Sequence, residues 1–125
     1  MPSLLMVWSD VRRGEVWWVD LEPVRAGEAN KTRPCVIVSN DANNVTAHRL
    51  GRGVVTVVPI TSNTGRVFRF QVAVLAGVGG LISDSKIQTE QVRAVSVNRL
   101  IERIGALTPE LRAELDAALR IQLAL

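Results

Sequence analysis

The stretch Gly14-Glu15-Val16-Trp17-Trp18-Val19-Asp20-Leu21 is dense in β-branched and aromatic residues, and it reads as a strand stopped by Glu22-Pro23. Beyond that stop, a charged loop of small residues runs to Thr32. Pro34-Cys35-Val36-Ile37-Val38-Ser39 then forms a short apolar run suited to a buried strand. Asn40-Asp41-Ala42-Asn43-Asn44 is turn chemistry, because Asn and Asp tolerate left-handed backbone and bond their own chain. Gly53 to Ile60 is a third strand, with Pro59 near its end where a missing amide does least harm. After the polar loop Thr61-Ser62-Asn63-Thr64-Gly65, Val67 to Val74 is a fourth strand, and Gly77, Gly79 and Gly80 punctuate the segment beyond it. Thr89 to Val97 is one more strand or a bent pair; Asn98 to Ile104 is open between loop and a short turn of helix.

The period then changes. Thr108 is suited to cap a helix, Pro109 to its first position, and Glu110 to the helix dipole. Leu111, Leu115, Ala118, Leu119 and Gln122 fall on one face at helical spacing, a stripe read as core rather than interface. Short strands followed by one amphipathic helix predict a mainly β fold, a small barrel-like sheet with the helix packed against it.

The 125 residues suffice for one domain that buries its own core without a disulfide or metal staple. Cys35 is the single cysteine, so no internal disulfide is available and a reducing compartment is the simpler expectation. No apolar run approaches a membrane span. Met1 to Trp8 lacks the basic start and apolar length of a signal peptide, so a cytoplasmic location is expected. Residues 1–11 read as an N-terminal extension and 12–125 as the domain. Trp8 is either an exposed anchor or a partner for Trp17 or Trp18.

The net charge of +3 comes entirely from Ala42–Ser83, which carries Arg49, Arg52, Arg66 and Arg69 and no acid, with Lys31 and Arg33 just ahead of it. Thirteen of the 15 cations are arginine, whose planar fork suits phosphate. A solvated surface and a surface for a polyanion are both compatible with that pattern.

Metal catalysis through Cys and His is nearly excluded, since Cys35 and His48 are the only such residues and the acids are scattered. Gly77-Val78-Gly79-Gly80 lacks the lysine of a phosphate loop. His48 falls in the loop after the Asn-rich turn and reads as a surface residue. Aromatics reach only 4%, so a base-stacking platform is poorly supplied. What remains is polar and cationic. Arg33 sits at the start of one buried strand, with Glu28 and Lys31 before it, and Thr61, Ser62 and Asn63 lie at the exit of another. If those strands are neighbours, an arginine, a glutamate and two hydroxyls converge. Such a set suits RNA cleavage by the substrate's own 2′-hydroxyl, which needs a proton acceptor, a proton donor and support for phosphorane charge.

These residues also resemble a family. Arg13 to Pro23, Glu28 with Thr32-Arg33-Pro34-Cys35-Val36-Ile37-Val38-Ser39-Asn40, and Val57-Val58-Pro59-Ile60-Thr61-Ser62 resemble, in order, segments of MazF/PemK-type toxins of bacterial toxin–antitoxin pairs. Thr89-Glu90-Gln91-Val92-Arg93 and Arg103-Ile104-Gly105 with Leu107 to Leu111 continue the match. No single motif is specific; five in the family's order are.

The resemblance implies an SH3-like barrel with a C-terminal helix, a homodimer with an RNA groove near its interface, and a cognate antitoxin of the MazE-like or another small type that covers the groove. It implies a metal-independent, cofactor-free, sequence-selective endoribonuclease that cuts single-stranded RNA (mRNA, or rRNA or tRNA) and arrests growth. By position, Arg33 and Thr61 match the catalytic arginine and threonine, Glu28 the acidic position, and Gln91 a glutamine near the RNA. Lys31, Ser62, Asn63 and Arg69 complete the expected substrate-binding set. Two other readings are a CcdB-like gyrase poison, disfavoured by a C-terminal segment without tryptophan, and a non-catalytic nucleic-acid-binding module. The glycine-rich segment from Leu75 to Leu81 and the stretch from Asn40 to Arg52 are departures expected to set base preference.

Overall fold

The computed structural model describes residues 10–21 and 32–125. Seven strands form one antiparallel sheet: β1 Glu15–Asp20, β2 Thr32–Ile37, β3 Val54–Thr61, β4 Gln71–Val74, β5 Ser85–Gln88, β6 Arg93–Ser96 and β7 Leu100–Ala106. Helix α1 spans Asp41–Leu50 and helix α2 Pro109–Leu123. The order across the sheet is β4-β5-β3-β2-β1-β7, with β6 also paired to β3. The fold is therefore mainly β with a C-terminal helix, as the pattern predicted, but the sheet is not closed. Beyond β3, the neighbouring strand changes partway along its length. Val54 to Val57 pair with β6, and Ile60 and Thr61 pair with β5.

The central strands are apolar without alternation because both of their faces are covered. Val16, Val36, Val58 and Ile60 point to one core, closed by Leu115 and Ala118 of α2. Val19, Cys35, Ile37, Val55 and Val57 point to the other, bordered by Ala47 of α1. Helix α2 starts as its residues require: Pro109 occupies the first turn and the Thr108 hydroxyl accepts from the Leu111 amide at 3.2 Å. Leu111 and Leu119 pack on the core that Leu115 and Ala118 enter, whereas Gln122 is exposed, so the buried stripe ends one turn earlier than predicted. Arg13 ties this helix to the sheet, donating to Asp116 and to the Val38 carbonyl, each at 2.6 Å.

Several expectations are corrected or narrowed. The Asn-rich segment opens helix α1 instead of forming a turn. The Asn40 side chain accepts from the Asn43 amide at 2.8 Å, the same side-chain-to-backbone bond that favours turns here serving as an N-cap. The fully buried Asn44 is held by Ser39, donating to its carbonyl at 2.8 Å. His48 accordingly lies in the last turn of α1, not in a loop. The fourth strand begins only at Gln71; of Asn98 to Ile104, Asn98 and Arg99 fall in the short 3-10 turn Val97–Arg99, and from Leu100 the chain is strand, completing its ladder on β1. Thr89 to Val97 is a single short strand, β6, preceded by a 3-10 turn at Thr89–Gln91.

The glycine segment has a packing function. Gly80 (φ +81°) lies so close to the Ile104 carbonyl that a Cβ would overlap it, and a Cβ at Gly105 would meet the Gly79 carbonyl. The 3-10 turn Val78–Gly80 thus crosses β7 backbone to backbone. Among the described residues, no helix is long and apolar enough to cross a membrane.

Candidate functional site

Strands β2 and β3 are neighbours, in the register Cys35↔Pro59, Val36↔Val58 and Ile37↔Val57. Carried two residues further, that register sets Arg33 across from Thr61. Residues two apart share a face, so both point to the side of Cys35 and Pro59. A cleft of about 330 Å³ opens there, lined by Leu21, Arg33, Pro59, Thr61, Gln88, Gln91 and Arg93. Gln91 arrives from the 3-10 turn after β5 and Arg93 from the start of β6, where it pairs with Val57.

The positive charges of this cleft are not balanced within the described residues. Arg12, Arg13, Arg49, Arg99 and Arg103 each lie within salt-bridge distance of a carboxylate. Arg33 and Arg93 have no carboxylate partner among the described residues. Beneath them the Cys35 thiol is buried, pushed up to about 12 by desolvation, with the Arg93 and Arg33 charges pulling the other way and losing. A thiol so raised is neutral at ordinary pH and leaves both positive charges uncompensated. The Thr61 oxygen accepts from the Asn63 amide at 3.1 Å, which leaves the hydroxyl hydrogen to be donated elsewhere.

The expected site residues therefore divide. Arg33, Thr61 and Gln91 meet in the cleft. Ser62 does not line it: as the strand alternates it turns to the opposite face, into a larger and more apolar cavity of about 460 Å³ with Trp18, Pro34, Ile60, Leu81 and Ile104, which Arg33 also borders. Asn63 contributes its backbone to Thr61 rather than a side chain to the cleft. Arg69 is exposed and lines neither cavity. Glu28 and Lys31, like Trp8, lie outside the described residues. Arg93 and Gln88 were missed by sequence reading. Gln91-Val92-Arg93 carries a faint signal for the first, two polar residues at strand spacing around an apolar one. Gln88 depends on β5 pairing, which no local pattern displays. None of the four arginines of the acid-free middle stretch lines the cleft, and its Arg49 is bound to Asp10 at 2.8 Å. No group of three or more His, Cys, Asp or Glu gathers to hold a metal among the described residues.

What this arrangement offers is two planar cations, one oriented hydroxyl and two amides above a neutral floor, a set matched to a phosphodiester flanked by sugar and base. Comparison with known proteins agrees. The family model described as PemK-like, MazF-like toxin of type II toxin-antitoxin system matches residues 12–123. Over 113 residues the chain is 52% identical to the protein named Endoribonuclease MazF9 of Mycobacterium tuberculosis, spanning 90% of this chain and 96% of that one. A solved structure named endoribonuclease, from a mycobacterial species, superposes with a TM-score of 0.72 at 24% identity, covering 94% of each chain. A second, an endoribonuclease in complex with its cognate antitoxin, gives 0.70 at 24% identity, covering 92% of this chain and 96% of that one.

Proposed function

The chain belongs to the PemK-like, MazF-like toxins of type II toxin–antitoxin systems, and from that premise we propose that it is a metal-independent, sequence-selective endoribonuclease acting on single-stranded RNA. In the reaction, the 2′-oxygen of the substrate bonds to the adjacent phosphorus and the bond to the 5′-oxygen breaks, leaving a 2′,3′-cyclic phosphate and a 5′-hydroxyl. The 2′-hydroxyl proton goes to a base, for which Glu28 is the candidate, and a proton reaches the departing 5′-oxygen. Arginine stays protonated, so Arg33 holds the scissile phosphate and donates; it does not act as the base. Thr61 donates to a non-bridging oxygen. Arg93 adds a second positive charge where the phosphorane develops, and Gln91 and Gln88 offer amides to sugar or base.

The observation that carries this reading is the convergence of Arg33, Thr61 and Gln91 on one cleft whose guanidinium groups lack carboxylate partners among the described residues. The cell-level consequence is arrest of translation and growth in the cytoplasm, relieved by a cognate antitoxin that covers the groove of a homodimer. Incubation with single-stranded RNA in EDTA tests it: selective cuts with cyclic-phosphate ends are expected. Each of Arg33→Ala and Thr61→Ala is expected to abolish them while the protein stays folded. Full activity in either variant overturns the site; uncut RNA with the wild type overturns the enzyme.

A further inference from the structure

The chain contains only two phenylalanines, and both are used in one stack outside the two cores. The Phe68 and Phe70 rings lie 5.3 Å apart and 4° from parallel. The Arg66 guanidinium sits over Phe68, 4.6 Å from its centroid. Phe68 is 40% exposed and Arg66 is exposed, so the stack ends in solvent. No described carboxylate pairs with Arg66.

This stack is fastened at three points to residues that neighbour the lining of the cleft. Lys86, directly across the sheet from Thr61 and hence on its face, donates to the Arg66 carbonyl and lies 6.0 Å from the Phe68 centroid. The buried Gln71 side chain accepts from the Phe68 amide at 3.0 Å and donates to Glu90 at 2.8 Å, next to Gln91. The Thr89 hydroxyl donates to the Phe70 carbonyl. The guanidinium stabilises the ring beneath it by a cation–π contact and leaves its own outer face open to solvent. A rigid stack ending in a guanidinium, one strand from the catalytic hydroxyl, is built to take another flat ring.

We propose that Arg66 and Phe68 form a stacking site for one unpaired nucleobase of the RNA, close to the phosphate held by Arg33 and Thr61. The site rests on the nuclease reading above and adds to it a place where the strand is gripped by a base rather than a phosphate. Stacking tolerates any base, so the site contributes affinity and register, with little sequence preference of its own.

The test uses the whole protein and a cleavable oligoribonucleotide. Its 2′-deoxy form at the cut site serves as an uncleavable ligand, with 2-aminopurine placed in turn at each flanking position. Quenching is expected at one position and lost in Phe68→Leu, which keeps apolar volume and removes the ring. KM is expected to rise about tenfold in that variant with kcat unchanged. Arg66→Gln, at an exposed position, gives a smaller rise. An abasic nucleotide at the quenched position costs the wild type the same tenfold and costs Phe68→Leu nothing more, a cycle that separates stacking from lost stability. Unchanged KM and unchanged quenching in Phe68→Leu overturn the site while leaving the nuclease intact. Loss of antitoxin binding alone, with RNA binding untouched, overturns it in favour of a protein contact. Should wild type cut no RNA, the nuclease reading fails first and the stacking site falls with it.

Discussion

Two sets of arginines in this molecule have the same chemistry and opposite surroundings. Around the start of β1, Arg49 and Arg12 lie on the buried Asp10 at 2.8 and 3.6 Å, and Arg103 meets Glu15 at 2.8 Å. Glu15 also accepts from the Arg12 amide and the Trp17 indole. In the cleft, Arg33 and Arg93 face each other's neighbourhood with a hydroxyl, two amides and a neutral thiol, and no described carboxylate. The first set closes its electrostatics within the fold. The second leaves its charge open, as the solvent-exposed Arg52, Arg69, Arg112 and Arg120 do, but gathers it beside a hydroxyl and two amides in one cleft. An arginine count could not separate these uses; the position of the acids does.

The largest effect that would break this contrast is on Arg33. Arg33→Ala should lower RNA cleavage by at least about 100-fold, the scale of a lost transition-state donor. Its unfolding midpoint in urea should stay that of the wild type. Asp10→Ala should do the reverse. Loss of a buried carboxylate, 1% exposed, that accepts charged hydrogen bonds from Arg49 should cost about 1–3 kcal/mol of stability, measured by denaturant titration. RNA cutting by the protein that remains folded should be unaffected. Arg93→Gln comes next, with kcat/KM down about tenfold and a slope of log affinity against log salt shallower by about one, since one phosphate contact is removed.

The smallest effect at neutral pH belongs to Cys35. Its folded value near 12 lies above the ordinary 9.0, so burial favours the protonated thiol. That stability is complete below pH 9 and is lost as pH rises through 9 toward 12. Unfolding titrations of the wild type and Cys35→Ala should therefore diverge only above pH 9, the wild type losing more. The native thiol should resist alkylation at about pH 8, where even a free thiol is only partly ionised.

Much of this was legible in the chain. The β-branched runs gave three central strands within a residue or two, because both faces are buried and no period competes. The C-terminal helix was legible through Thr108-Pro109 and its leucine spacing. Helix α1 was not, because Asn40 to Asn44 satisfy a turn and a helix start equally well, and only the burial of Asn44 decides. Arg33 and Thr61 could be named because each sits at the mouth of a strong strand. Ser62 was grouped with Thr61, whereas the strand's alternation turns the two to opposite faces, a division that period-two reasoning displays. Placing Arg93 and the Phe68 stack needed strand pairings tens of residues apart. The stack itself is local, within Arg66 to Phe70, but its place beside the cleft and that of Arg93 in it depend on pairings no local signal displays.

The crossing of Gly80 over β7 sets a condition on any genetics done with this toxin. A selection for cells that survive its induction will harvest substitutions at Gly80 and Gly105 beside those in the cleft, because any side chain at either position forces two backbones apart. Immunoblots of the survivors will sort them. Scaffold lesions will be scarce or insoluble, and cleft lesions will accumulate as abundant, harmless protein.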